Sequence, residues 1–273
     1  MKYGISNDAR PQATLLLTAA VISIVLWFIP FAEIVTYPFR IFVTFIHEGG
    51  HAIAAVLTGN SVESLSVATN ASGETYTSTG GTLSQMFVSS AGYLGSMAFG
   101  AMLLVLIRKA IAARMVLLGS AVVVFALTLI YGVIKPIVSG LASSAMFFTV
   151  LAGALLTLGL ITIARYAKPK VATFFVSFLA VQCVLNALLD LKTVFFLSSP
   201  FAPTVPTDAV NMANATGIPA VVWSVVWIGL ALSILAVTMR LYISGKKKQF
   251  QLETGFDPIP VFPAALNETQ HLP

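Results

Sequence analysis

Charge is scarce in this sequence. Asp, Glu, Lys and Arg together make up 9% of the 273 residues, whereas apolar residues make up 58% and the mean hydropathy is +0.92. A soluble domain carries about 25% charged residues, so water is not the main solvent of this chain. Cysteine is nearly missing: Cys183 stands alone, which excludes an intrachain disulfide and leaves packing as its expected role. Histidine occurs three times, at 47, 51 and 271, far short of the histidine set of a diiron membrane oxygenase. Polar residues inside the apolar stretches are too few to line the path of a metal transporter. The net charge of +5 could point to nucleic acid. Its Lys and Arg residues sit at the ends of apolar stretches and in short loops, however, so no nucleic-acid partner is expected.

What the chain has in abundance is long apolar sequence. Seven stretches approach or exceed the roughly 20 residues that a spanning helix needs. They run Ala13 to Val35, Phe39 to Leu57, Met86 to Ile107, Met115 to Val133, Ala145 to Ala164, Val171 to Leu197 and Ile218 to Met239. The expected fold is therefore an all-α polytopic membrane protein of about seven transmembrane helices, with the lipid bilayer as its partner. The first stretch has no convincing small-residue cleavage site after it and is expected to be retained. With seven spans, eleven of the fifteen basic residues fall on one face, which the positive-inside rule makes cytoplasmic and which includes the C-terminus. Residues 1–244 form the expected transmembrane domain. Residues 245–273 open with Lys246, Lys247 and Lys248 and continue as a polar, Pro-rich cytoplasmic tail.

Two features lie between and within the spans. Ser61 to Thr82 turns polar and β-prone, with Leu65 and Val67 alternating, turn residues at Asn70 to Gly73, and Thr75 to Thr79 beyond. This predicts a small β-hairpin after the second span, either an ordinary loop or an edge strand that pairs with an extended substrate. In the third span Gly92, Ser96 and Gly100 recur every fourth residue, a small-residue stripe that lets helices pack closely in lipid.

The chemistry is concentrated in the second span, at His47-Glu48-Gly49-Gly50-His51. Residues four apart share a helix face, so both imidazoles can reach one Zn2+ ion with the Glu48 carboxylate beside them, placed to take a proton from water. Ionisable groups inside a membrane span are costly and by default mark a functional site. Two adjacent helical glycines, at about 1 kcal/mol each relative to alanine, need a reason, which close approach of a backbone or ligand or a packing notch could supply. A catalytic zinc site has three protein ligands and one open position. Of the ten acidic residues, only Glu33, Glu48 and Asp190 fall within apolar stretches. Glu33 lies at a stretch end, so Asp190 is the expected third ligand, with Asp208 of the following loop as runner-up and Cys183 behind both. Asn186, one turn before Asp190, could hydrogen-bond a developing oxyanion or the substrate backbone, or serve as a buried interhelical amide.

These residues resemble a known family. Phe45 to Ala52, the Leu57-Thr58-Gly59 exit, Gly80-Gly81, Ala91 to Gly95 and Asn186 to Leu191 together are similar to the site-2 protease group of intramembrane zinc metallopeptidases, and within it to the compact M50B-like branch. The resemblance implies His47, His51 and Asp190 as zinc ligands, Glu48 as general base, and a transmembrane protein as the substrate cut within or near the bilayer. Better-known members carry their aspartate in Asn-x-x-Pro-x-x-x-Leu-Asp-Gly, and this chain lacks that proline and that glycine. A client-binding membrane protein that keeps the metal site without catalysis is the alternative function.

Overall fold

The computed structural model describes residues 10–26, 28–78, 80–108, 112–141, 144–199 and 205–244. The tail at 245–273 lies outside the described residues. The elements are α1 (Arg10–Leu26), α2 (Glu33–Leu57), β1 (Val62–Val67), β2 (Gly73–Thr77), α3 (Thr82–Arg108), α4 (Ala113–Leu127), α5 (Lys135–Val138), α6 (Ser144–Tyr166), α7 (Pro169–Leu197), α8 (Asp208–Thr216) and α9 (Ala220–Ser244). A π-helical stretch, Thr128–Ile134, joins α4 to α5. Helices dominate because each satisfies its own backbone hydrogen bonds, which lipid cannot do.

Among the described residues, five helical segments are long and apolar enough to cross a membrane: α3, α4 through α5, α6, α7 and α9. The two remaining expected spans differ from the reading of the sequence. The apolar stretch from Ala13 to Val35 is interrupted by turns at residues 28–32, where Phe31 takes a positive φ of 64°. Its apolar helix is therefore short, Thr14–Leu26. Glu33 then starts α2 instead of ending the helix before it. Helix α2 has the length, at 25 residues, but the ionisable groups of its His-Glu-Gly-Gly-His run dilute its apolar character.

The hairpin forms where the sequence placed it. Strands β1 and β2 pair antiparallel, with Val67 opposite Gly73, Leu65 opposite Thr75 and an irregularity near Val62. The hairpin does not hang free as a loop. It folds back along α2, where the Tyr37 hydroxyl donates to the Thr69 carbonyl at 2.6 Å and the Thr44 hydroxyl to the Ala71 carbonyl at 2.8 Å. Leu65 and Val67 are buried in the main core, and Val62 is buried against Ala52 and Ala55 of α2. On its other side β1 meets α6, whose Thr149 hydroxyl accepts from the Val67 N–H at 2.8 Å and contacts the Val67 carbonyl at 3.3 Å.

The core is set by close crossings at small residues. A Cβ on Gly50 would run into the backbone carbonyl of Ala91, and one on Gly95 would sit 3.5 Å from the Cα of Gly50, so α2 and α3 touch backbone to backbone. Gly49 makes room for Leu127 of α4. Gly100, in the stripe of α3, lies against α7 at Ala180, Cys183 and Val184. Cys183 is thus fully buried packing. Gly50→Ala should cost about 1–3 kcal/mol of stability by overpacking this crossing, read as a lower unfolding midpoint in detergent. Gly119→Ala, whose Cβ would meet open space in α4, should leave the midpoint unchanged or raised.

Candidate metal centre

His47 and His51 lie one turn apart on α2, and their Nε2 atoms stand 3.1 Å from each other. The third member comes from outside the long helices. Asp208 begins α8, and its Oδ2 lies 3.5 Å from His47 Nε2 and 3.4 Å from His51 Nε2. Among the described residues this is the one group of three donors close enough to share a metal ion. Helix α8 is short but well fastened. Thr207 caps it by accepting from the Val210 N–H at 3.3 Å, Gly217 closes it in the left-handed conformation, and Ala209 and Met212 are buried beneath it.

The donor set has a defined protonation pattern. His51 Nδ1 lies 2.7 Å from the Val88 carbonyl of α3. A carbonyl only accepts, so Nδ1 carries the proton and Nε2 turns its lone pair to the centre. Two imidazole nitrogens and a carboxylate oxygen facing one point at 3.1–3.5 Å repel unless a metal ion or a proton lies among them. A tetrahedral ion with bonds of about 2.1 Å has donors about 3.4 Å apart, so the triangle fits a metal of that size. Gly92 of α3 supplies the space: a Cβ there would overlap the Nε2 atoms of both histidines.

The surroundings fix the ligands and the carboxylate. Tyr93 packs edge-on against His47, with ring centroids 4.7 Å apart, and Trp227 of α9 backs Tyr93 at 5.5 Å while donating its indole N–H to Ser90 at 3.0 Å. Glu48 is buried and points to β2, where the Thr75 hydroxyl donates to its Oε2 at 2.7 Å. Gly73 leaves room for the other oxygen, since a Cβ there would press on Glu48. His47, Glu48, His51 and Asp208 all line a cavity of about 810 Å³, and β2 forms part of its wall.

Asp190 and Asn186 lie on α7, outside the triangle, in the wall of a smaller neighbouring cavity that also reaches His47 and Glu48. The Asn186 amide donates to the Gln182 carbonyl at 2.8 Å and to Gln182 Oε1 at 3.1 Å. Both of its hydrogens are thereby committed, which leaves only its carbonyl oxygen for other partners. Asp208 ranked second in the sequence because acids inside the spans ranked first. Its signal was Pro206-Thr207-Asp208, a helix start, followed by Gly217, a helix stop.

A family model described as Peptidase M50B-like matches residues 16–238, most of the chain. The chain belongs to this family. No curated protein matches it, and no solved structure does. The M50B-like family lies within the site-2 protease group, so the triangle and Glu48 stand in a metallopeptidase scaffold. Family and apolar helices together make the chain an integral membrane protein.

Three substitutions separate the parts of the centre. Asp208→Ala and Gly92→Ala should each remove most of the bound metal, the first by deleting a donor and the second by filling the space. Thr75→Val should keep it. Elemental analysis of purified, folded protein checks all three, and metal retained in Gly92→Ala would mean that the ion does not sit where the two Nε2 atoms point.

Proposed function

We propose that this protein is an intramembrane zinc metalloprotease that hydrolyses peptide bonds of membrane-embedded protein substrates. The observation that carries this reading is the His47, His51 and Asp208 triangle, with the Glu48 carboxylate next to it, in a cavity walled by an open β-edge. Two imidazoles and one carboxylate with a position left open is a donor set of catalytic zinc. Zinc held there supplies Lewis acidity to the water and the carbonyl that meet it.

The remaining work falls to the chain itself. Glu48 takes the proton of the attacking water and returns one to the leaving amine. Thr75 holds the carboxylate in one rotamer through its hydroxyl. Strand β2 receives the substrate. Ala68 donates to the Ser72 carbonyl across the turn at 2.8 Å, and ladder alternation then turns the backbone groups of Val67 and Leu65 outward from β1, and those of Gly73 and Thr75 outward from β2. Thr149 closes the β1 side at Val67. Among the described residues nothing bonds the outward groups of Gly73 and Thr75, so β2 has the free edge, directly over Glu48. An extended substrate segment can add to it as a third strand.

This reading places α2 and the hairpin within the bilayer region, with the C-terminal end of α9 on the cytoplasmic side as the basic residues vote. Glu48→Gln should keep its zinc and lose cleavage of a co-reconstituted transmembrane reporter by about 10²–10⁴-fold. Undiminished cleavage would refute the role of Glu48. A Glu48→Gln protein that keeps the full cellular phenotype would instead mark a binder of client helices.

A further inference from the structure

A metal ligand is aimed only as well as its outer partner holds it. His51 has the Val88 carbonyl of α3 behind its Nδ1, and the ring of His47 is wedged by Tyr93. Asp208 is the ligand that its own element aims least. It occupies the first position of a nine-residue helix, directly after the Thr207 cap. Ala209 and Met212 anchor the backbone there, but a carboxylate at a helix start still turns about its own side-chain torsions.

The Tyr93 hydroxyl meets that carboxylate. It hydrogen-bonds the Asp208 side chain, and because a carboxylate only accepts, the phenol is the donor. The ring that carries this hydroxyl is buried, 6% exposed, and fixed on two sides, edge-on to His47 at 4.7 Å and tilted against Trp227 at 5.5 Å. Met97, Val184 and Ala187 share its apolar cluster. A phenylalanine ring would fill that cluster equally well. A phenol hydroxyl taken out of water is costly unless it finds a partner, so Asp208 accounts for the oxygen where packing does not. With its hydrogen committed to Asp208, the hydroxyl is not free to donate to a substrate carbonyl.

We propose that Tyr93 is a positioning residue of the metal centre, its hydroxyl holding the Asp208 carboxylate turned toward His47 and His51. A short stretch of α3 then serves all three ligands: Val88 sets the tautomer of His51, Gly92 leaves the space in front of both imidazoles, and Tyr93 seats His47 with its ring and Asp208 with its hydroxyl. The proposal rests on the zinc reading above and assigns Tyr93 no step at Glu48.

The test compares detergent-purified wild type with Tyr93→Phe, which keeps the ring and removes the hydroxyl. Zinc dissociation constants are measured by competition with a chromophoric chelator, and helical content is followed by circular dichroism. Tyr93→Phe should weaken zinc about tenfold, the low end of what loss of an outer partner costs a metal site, and shift the visible absorption bands of the cobalt-substituted protein, with helical content unchanged. In protein that carries Asp208→Asn, the same change should alter zinc affinity by less than about twofold, because residues that act through one another are not additive. Wild-type zinc affinity with an unshifted cobalt spectrum in Tyr93→Phe, or an equal loss of affinity with and without Asp208, would overturn the role. Zinc bound by wild type and unaffected by Tyr93→Phe removes this proposal alone, whereas folded wild type that binds no zinc removes the zinc reading with it.

Discussion

The crossing of α2 and α3 governs the rest of the structure. Backbone meets backbone where Gly50 faces Ala91, and that closeness brings the Val88 carbonyl to His51 and leaves the Gly92 gap in front of both imidazoles. A side chain at position 50 would push α3 away. His51 would then lose the acceptor that sets its tautomer, and Tyr93 would lose its seat against His47. The paired glycines of the motif therefore serve the metal site indirectly, through helix packing and not through contact with a ligand. In lipid, where apolar side chains gain little by meeting each other, such close backbone contact is a main source of helix association.

Around that crossing the chain assembles the site from four separate pieces. Helix α2 brings two imidazoles and the Glu48 carboxylate. Helix α3 brings the Val88 acceptor and the empty volume at Gly92. The hairpin brings Thr75 to Glu48, and α8 brings Asp208. The hairpin can do this only because Thr149 and the π-helical stretch hold β1 in the core. Widening of the helix by π turns beside β1 places Gly132, which has no side chain, near the Leu65 carbonyl. One strand is thus structural, and its partner keeps a free edge.

How much of this could be read from the residues follows from the range of each interaction. The histidine pair, Glu48 and the hairpin are local patterns, set by helix spacing and by β-prone alternation around a turn, and all appear as the sequence spells them. The break at residues 28–32 was hidden because every residue there except Pro30 belongs equally well in an apolar helix. The third member of the donor triangle was hidden for a different reason. Elimination among acids inside apolar stretches leads to Asp190, whereas the chain returns a short capped helix from a loop to the centre. Only tertiary packing, through Ala209 and Met212, decides which acid arrives. Composition and local spacing carry no record of that choice.

The two carboxylates left near the centre then divide by what faces them. Asp208 faces two imidazoles, so a shared cation satisfies all three groups at once and the charge is held locally. Asp190 is exposed to the adjoining cavity, whose wall also holds the Arg40 guanidinium, so its charge is met outside the triangle. A protein that placed both acids against the metal would hold a more negative centre and a weaker Lewis acid. Keeping them in adjoining cavities, with His47 and Glu48 as the partition, lets one carboxylate serve the ion and keeps the charge of the other away from it.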